Sequence, residues 1–317
     1  MSIYNYKKVS YISLVIFLCL STTAVKVSAL DTSELENQAH SFYEDGNYAK
    51  AIHILNQLLK IYTKDTSLLT NLAAAEGELS NFTGALSLYK KTLSIDPKDI
   101  GAFVGIGLSL KHLGNKTEAM KYFKEAVTQP ITDSKFVKVE ELEKAMSFTY
   151  MGNYTQAVNI ANQVLRQNPT DFGALEIKAM SFIYLGKNNA ALNILNTLVS
   201  EGHAVPWVLD DRGVALLGLK NYAGAIANFN VTLKAEPMDA YALFNRAEAF
   251  LNMDFDRQKI NTVQQLEQHK QLILPHLDSA LRDLSQVLSI NPFDKDAQDL
   301  KSLLIKDLIL RLSRKQT

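Results

Sequence analysis

At 317 residues, with 47% apolar and 21% charged residues, the chain is long enough for two ordinary domains or one elongated array, and too apolar for a disordered protein. Its 33 basic residues balance 33 acidic ones, so no global field draws it toward nucleic acid or an acidic membrane. Cys19 is the single cysteine, which excludes an intrachain disulfide and a thiolate metal cluster.

At the N-terminus, Lys7 and Lys8 precede an apolar run from Tyr11 to Leu20, and a polar, small-residue stretch from Ser21 to Ala29 follows. This is the layout of an export signal over residues 1–29, with Val27-Ser28-Ala29 as a small-x-small cleavage site. Cleavage there predicts a mature chain beginning at Leu30, secreted or held in the periplasm or cell envelope. It would also remove the only thiol, together with Lys7, Lys8 and Lys26, leaving 30 basic against 33 acidic residues. The alternative is a leader retained as an N-terminal anchor of an extracytoplasmic protein, although the apolar run is short for a bilayer span. Membrane contact is expected only through such an uncleaved leader.

Beyond the leader a motif recurs. Gly46-Asn47-Tyr48, Gly152-Asn153-Tyr154 and Lys220-Asn221-Tyr222 are followed three residues on by Ala51, Ala157 and Ala225; variants begin at Ser80, Gly114 and Gly186, and most neighbours are 34 residues apart. Before each turn a small residue sits among large ones, as Ala39 does with Leu35 and Phe42, Gly107 with Phe103 and Leu110, Ala145 with Phe148, and Gly213 with Leu209 and Leu216. After it comes an apolar face at helical spacing, such as Ala51, Leu55, Leu58 and Leu59, or Ala225, Phe229 and Leu233. Pro97, Pro169, Pro237 and Pro292 stop the second helix, and Asp99, Asp171, Asp239 and Asp294 are placed to cap the next one.

These residues resemble the tetratricopeptide-repeat family, whose pattern has a small residue midway along helix A, Gly at the turn, Ala early in helix B and Pro at its end. The resemblance implies an all-α fold: an α-solenoid, a right-handed superhelix of antiparallel helix pairs. It covers residues 32–294 as about seven repeats, at 32–65, 66–99, 100–133, 138–171, 172–205, 206–239 and 240–294. The first lacks the closing proline, residues 134–137 form a short insert, and the last is interrupted by an extra stretch, 256–274. Residues 295–317 supply a capping helix and tail, with Leu300, Leu303, Leu304, Leu308 and Leu312 at helical spacing.

No catalytic constellation stands out, and the chain is read as not an enzyme. The six histidines lack paired-ligand spacing, no cofactor is implied, and Gly101, Gly105 and Gly107 are spaced for close helix packing. Asp210-Asp211-Arg212 reads as a solvated face with a salt bridge, since adjacent helical residues point about 100° apart. Four Asn-x-Ser/Thr sequons occur, at Asn81, Asn115, Asn153 and Asn230; turns favour asparagine for their own reasons, so glycosylation stays open.

In the family that this chain resembles, helix A residues that do not pack between helices line a concave face where partner peptides or helices lie. The basic clamp of one subset has no counterpart here, because the equivalent positions include Glu36, His40 and Asn71 without a Lys or Arg cluster. Instead the inner line of repeats three to seven is apolar: Val104, Leu108, Leu142, Met146, Tyr150, Met180, Ile183, Tyr184, Trp207, Val214, Leu217, Tyr241 and Phe244. Two outcomes are open for it. The line is either an exposed groove for a partner or filling between repeats and beneath the 256–274 stretch. The function expected is an exported scaffold or assembly factor binding another protein, of unknown identity, with neither nucleic acid nor metal. The alternative is a noncatalytic subunit of an envelope-modifying enzyme complex.

Overall fold

The computed structural model describes residues 29–131, 137–257, 263–292 and 294–313; all but the last residue of the 1–29 export signal and part of the 134–137 insert lie outside them. Among the described residues the chain is helical throughout, with no strand. It divides into two units, one running to Ser181 and the other from Phe182. The first holds α1 (Ala29–Glu44), α2 (Tyr48–Ile61), α3 (Thr66–Glu78), α4 (Phe82–Ile95), α5 (Ile100–His112), α6 (Lys116–Thr128), α7 (Val137–Tyr150), α8 (Tyr154–Gln167) and most of α9 (Phe172–Tyr184). The second holds α10 (Asn188–Ser200), α11 (Pro206–Gly218), α12 (Tyr222–Ala235), α13 (Ala240–Arg257), α14 (Val263–Ile290) and α15 (Lys295–Ser313).

Each unit is a stack of helix hairpins. In the first, α1 packs on α2, α3 on α4, α5 on α6 and α7 on α8, and each hairpin also rests on the next. The first helices of successive hairpins touch as well, α3 with α5 and α5 with α7. The second unit repeats the scheme, with α11 on α12, α13 on α14 and α11 against α13. No hairpin can bury both faces of its helices alone, so stacking supplies the stability.

The sequence motif builds the hairpin turn. Asn47 N–H donates across the turn to Phe42 O at 2.7 Å and Gly46 N–H to Tyr43 O at 3.0 Å, the paired bonds of a Schellman ending. That ending needs a left-handed residue, and Gly46 has φ +71°. Where the motif lacks glycine the backbone makes the same excursion, at Ser80 (φ 62°) and Lys220 (φ 61°). The asparagine after it then caps the second helix: the Asn81, Asn115, Asn153 and Asn221 side chains accept from backbone N–H groups three residues on. Three of the four sequon asparagines therefore have a structural role. The fourth, Asn230, accepts from Arg246 Nη1 at 2.7 Å.

Between hairpins, the aspartates after the prolines cap as expected: Asp99, Asp171, Asp239 and Asp294 accept from the N–H groups of Ala102, Ala174, Ala242 and Ala297. The small residues let facing helices close up. A Cβ on Gly107 would fall 2.6 Å from the Phe123 ring, and one on Gly213 would fall 2.6 Å from the Phe229 ring. Ala39 and Ala145 are fully buried at the matching positions.

Two expectations about the C-terminal region change. The extra stretch lengthens the last hairpin's helices, α13 to 18 residues and α14 to 28, with Pro275 inside the latter; the side chains of 254–274 lie outside the described residues. The α15 helix packs on α14 as a cap, but with Leu300 and Leu304 turned inward and Leu303 56% exposed. One turn separates Leu300 from Leu304, whereas Leu303 stands about 100° from its neighbour. The side chains of Leu308 and Leu312 lie outside the described residues.

Candidate functional site

The apolar inner line is mostly interior. In the first unit, Val104, Leu108, Leu142, Met146 and Met180 are all exposed by 3% or less, as parts of α5, α7 and α9. In the second unit, Ile183, Val214, Leu217, Tyr241 and Phe244 are exposed by 5% or less. An open apolar stripe at these ten positions is therefore corrected to buried packing among the described residues. The physical reason is the contact between first helices of successive hairpins, α5 with α7 and α11 with α13, which covers side chains that hairpin pairing alone would leave out.

Three aromatics on the line keep exposed surface: Tyr150, Tyr184 and Trp207 are half-buried. The ring of Tyr150, in the first unit, is in contact with an aromatic ring and with an ammonium. The Phe123 ring stacks on it at 5.3 Å with a 15° interplanar angle, and Lys111 Nζ sits 4.6 Å from the ring centroid. Tyr184 and Trp207 belong to the second unit. Tyr184 lies close enough to the buried Tyr241 to influence its ionisation; burial first, then the charges of Asp211 and its neighbours, pushes the Tyr241 phenol well above its ordinary range.

Sequence reasoning misplaced one acidic pair. Asp210 and Asp211 are buried, at 3% and 0% exposure, instead of solvated. Arg212 turns away to the side chains of Asn196, through Nε at 2.8 Å, and Asn228, through Nη1 at 3.2 Å. At the positions of the basic clamp, Glu36 is half-buried, His40 is exposed and Asn71 is buried with neither amide atom hydrogen-bonded.

The histidines are dispersed: His53 contacts Gln57 at 3.0 Å, His112 stacks on Phe82 at 4.3 Å and His276 stacks on Phe250 at 5.5 Å. Among the described residues no group of three or more His, Cys, Asp or Glu side chains is arranged for a metal ion. No described helix is long and apolar enough to cross a membrane.

Three family models described as tetratricopeptide repeat match the chain: one over residues 36–100 and again over 211–252, a second over 100–129 and a third over 142–171. The search of curated proteins gave no match. Among solved structures, a tetratricopeptide repeat protein from Parabacteroides merdae ATCC 43184 is 16% identical with a TM-score of 0.50, the alignment covering 87% of this chain and 100% of that one. A chain of the APC/C hetero-tetramer Cut9–Hcn1 is 20% identical with a TM-score of 0.54; the alignment covers 84% of this chain and 48% of that one, so this chain spans about half its length. At such identities the likeness carries the fold alone, an α-solenoid; proteins of the family whose models match serve generally as noncatalytic protein–protein interaction scaffolds. With the turns, caps and small-residue contacts in place and the matched stretches taking in more than half of the chain, this protein belongs to the tetratricopeptide-repeat family.

Proposed function

We propose that the chain is an exported interaction scaffold that holds a peptide or helix of a partner protein, with Tyr184 and Trp207 as the anchoring aromatics. The observation that supports it most is the partial exposure of the half-buried rings at these two positions, on a line whose other members in the same unit are buried. Large aromatics that are already partly ordered lose little freedom on binding and dominate binding hot spots.

Capture from the native extract tests the proposal. The chain lacking residues 1–29 should retain a specific protein that the Tyr184→Ala/Trp207→Ala double variant releases, with helicity unchanged. Equal retention by the two would move the partner to another face. A captured enzyme held in fixed stoichiometry would instead favour the noncatalytic-subunit reading.

Export is tested separately. Mass-spectrometric sequencing of the native protein should find its N-terminus near Leu30, in an extracytoplasmic fraction. An intact Met1 would contradict cleavage, and membrane retention of that form would indicate an anchor.

A further inference from the structure

One buried polar cluster in the first unit has no part in the proposed binding. Gly101 and Gly105 lie one turn apart on α5 and so share a face. A Cβ on Gly101 would fall 2.6 Å from Glu143 Oε1, a carboxyl oxygen of α7, and one on Gly105 would collide with the far end of the Tyr89 ring, from α4. The glycine face thus holds a carboxyl and a phenol where other residues would place methyl groups. Glu143 is 6% exposed and Tyr89 fully buried, and the Tyr89 hydroxyl has no hydrogen-bond partner.

The charges around this pair are mostly negative. Asp99 and Glu140 act on Glu143; Glu78, Asp99 and Glu143 act on Tyr89; Asp96 and Glu140 act on Asp99. Of the α7 cations, Lys144 feels Glu140 and its ammonium donates to the Gln129 carbonyl, while Lys138 pairs with Asp171 at 3.1 Å. A carboxylate at Glu143 would be desolvated and repelled together, whereas the protonated acid removes both costs.

We propose that Glu143 is a proton-operated latch: as a neutral acid it lets α7 seat on the Gly101–Gly105 face of α5, and its ionisation loosens that seat. Burial, followed by the charges of Asp99 and Glu140, pushes the Glu143 carboxyl well above the usual carboxylate range. Burial likewise raises Asp99 from 3.8 to about 6, against the lowering effect of the Ala102 N–H it accepts from. Folded-state protons are therefore held where the unfolded chain has lost them. The stabilisation is complete below the ordinary carboxylate range and is lost as pH rises through the raised values, from about 4 to about 6 for Asp99 and over the raised range of Glu143. The first unit is thus tighter in acid than at neutral pH.

The test compares the full chain with Glu143→Gln, which keeps the shape of the neutral acid and cannot ionise. Wild type should melt progressively below the variant as pH rises from 5 to 8, by about 2–4 °C for each tenfold by which folding tightens proton binding at Glu143. At pH 3, below the ordinary carboxylate range, the two should melt together. Amide exchange over 100–112 and 137–150, corrected for its intrinsic pH dependence, should accelerate with pH in wild type and by less in the variant, which keeps only the Asp99 contribution. Asp99→Asn, which keeps the cap acceptor, should lower the midpoint of the wild-type change. Parallel pH profiles for wild type and Glu143→Gln, or a variant less stable than wild type at pH 8, would overturn the latch.

Discussion

Phe229→Ala is expected to cost the second unit about 3–5 kcal/mol, the usual range when a buried phenylalanine leaves a cavity that its surroundings cannot fill. The ring is fully buried on α12 and faces Gly213 on α11, where an added Cβ would stand 2.6 Å from it. Gly213→Leu approaches the same contact from the other side and should overpack it by about 1–3 kcal/mol. Combined, the two changes partly compensate, because the new leucine occupies space that the ring vacated. Their sum should fail to add by roughly 0.5–3 kcal/mol in urea melts. Strict additivity would contradict the direct pairing of α11 with α12 through this residue pair.

Arg246→Met should have an effect of the same size. Arg246 of α13 is 21% exposed and grips Asp283 of α14, itself 4% exposed, through Nη2 at 2.6 Å and Nε at 2.8 Å, while Nη1 holds Asn230 of α12. Removing the guanidinium leaves a buried carboxylate without its counter-charge, which costs about 3–5 kcal/mol. The double variant Arg246→Met/Asp283→Leu should recover most of that loss, since it removes the uncompensated charge together with its partner. A double variant as unstable as Arg246→Met alone would show that packing, and not charge, carries the contact. Thermal melts of the three chains decide between them.

The parts of the fold legible in the sequence were those governed by local rules. Gly-Asn-aromatic marks a Schellman ending followed by an asparagine cap, Asx-Pro marks a stop, and the aspartate two residues past the proline caps the next helix. Each uses atoms a few residues apart, so residue order alone reveals it. The spacing of Gly105 and Gly107 also announced close approach, and each glycine receives an aromatic ring, from Tyr89 and Phe123.

What stayed hidden depends on partners distant in sequence. Helical spacing identifies Val104, Leu108, Tyr241 and Phe244 as apolar positions off the hairpin seam but not that successive first helices would cover them. Charge misleads in the same way: Asp210 and Asp211 looked solvated, yet their place on α11 buries them. Glu143 stands among Lys138, Glu140, Glu141 and Lys144, and nothing in that run distinguishes the one acid that enters the core. Only its meeting with Gly101 on another helix does so.

Trp207 is the only tryptophan in the chain, so intrinsic tryptophan fluorescence reports on this anchor alone. Titrating the protein captured from the native extract into the chain lacking residues 1–29 should therefore shift the Trp207 emission as the half-buried ring becomes enclosed. The same partner, followed by calorimetry, should bind Trp207→Ala about thirtyfold more weakly, the consequence of losing roughly 2 kcal/mol at a hot spot. An emission spectrum unchanged at saturation, together with an affinity unaltered by Trp207→Ala, would contradict the assignment of this face as the partner site.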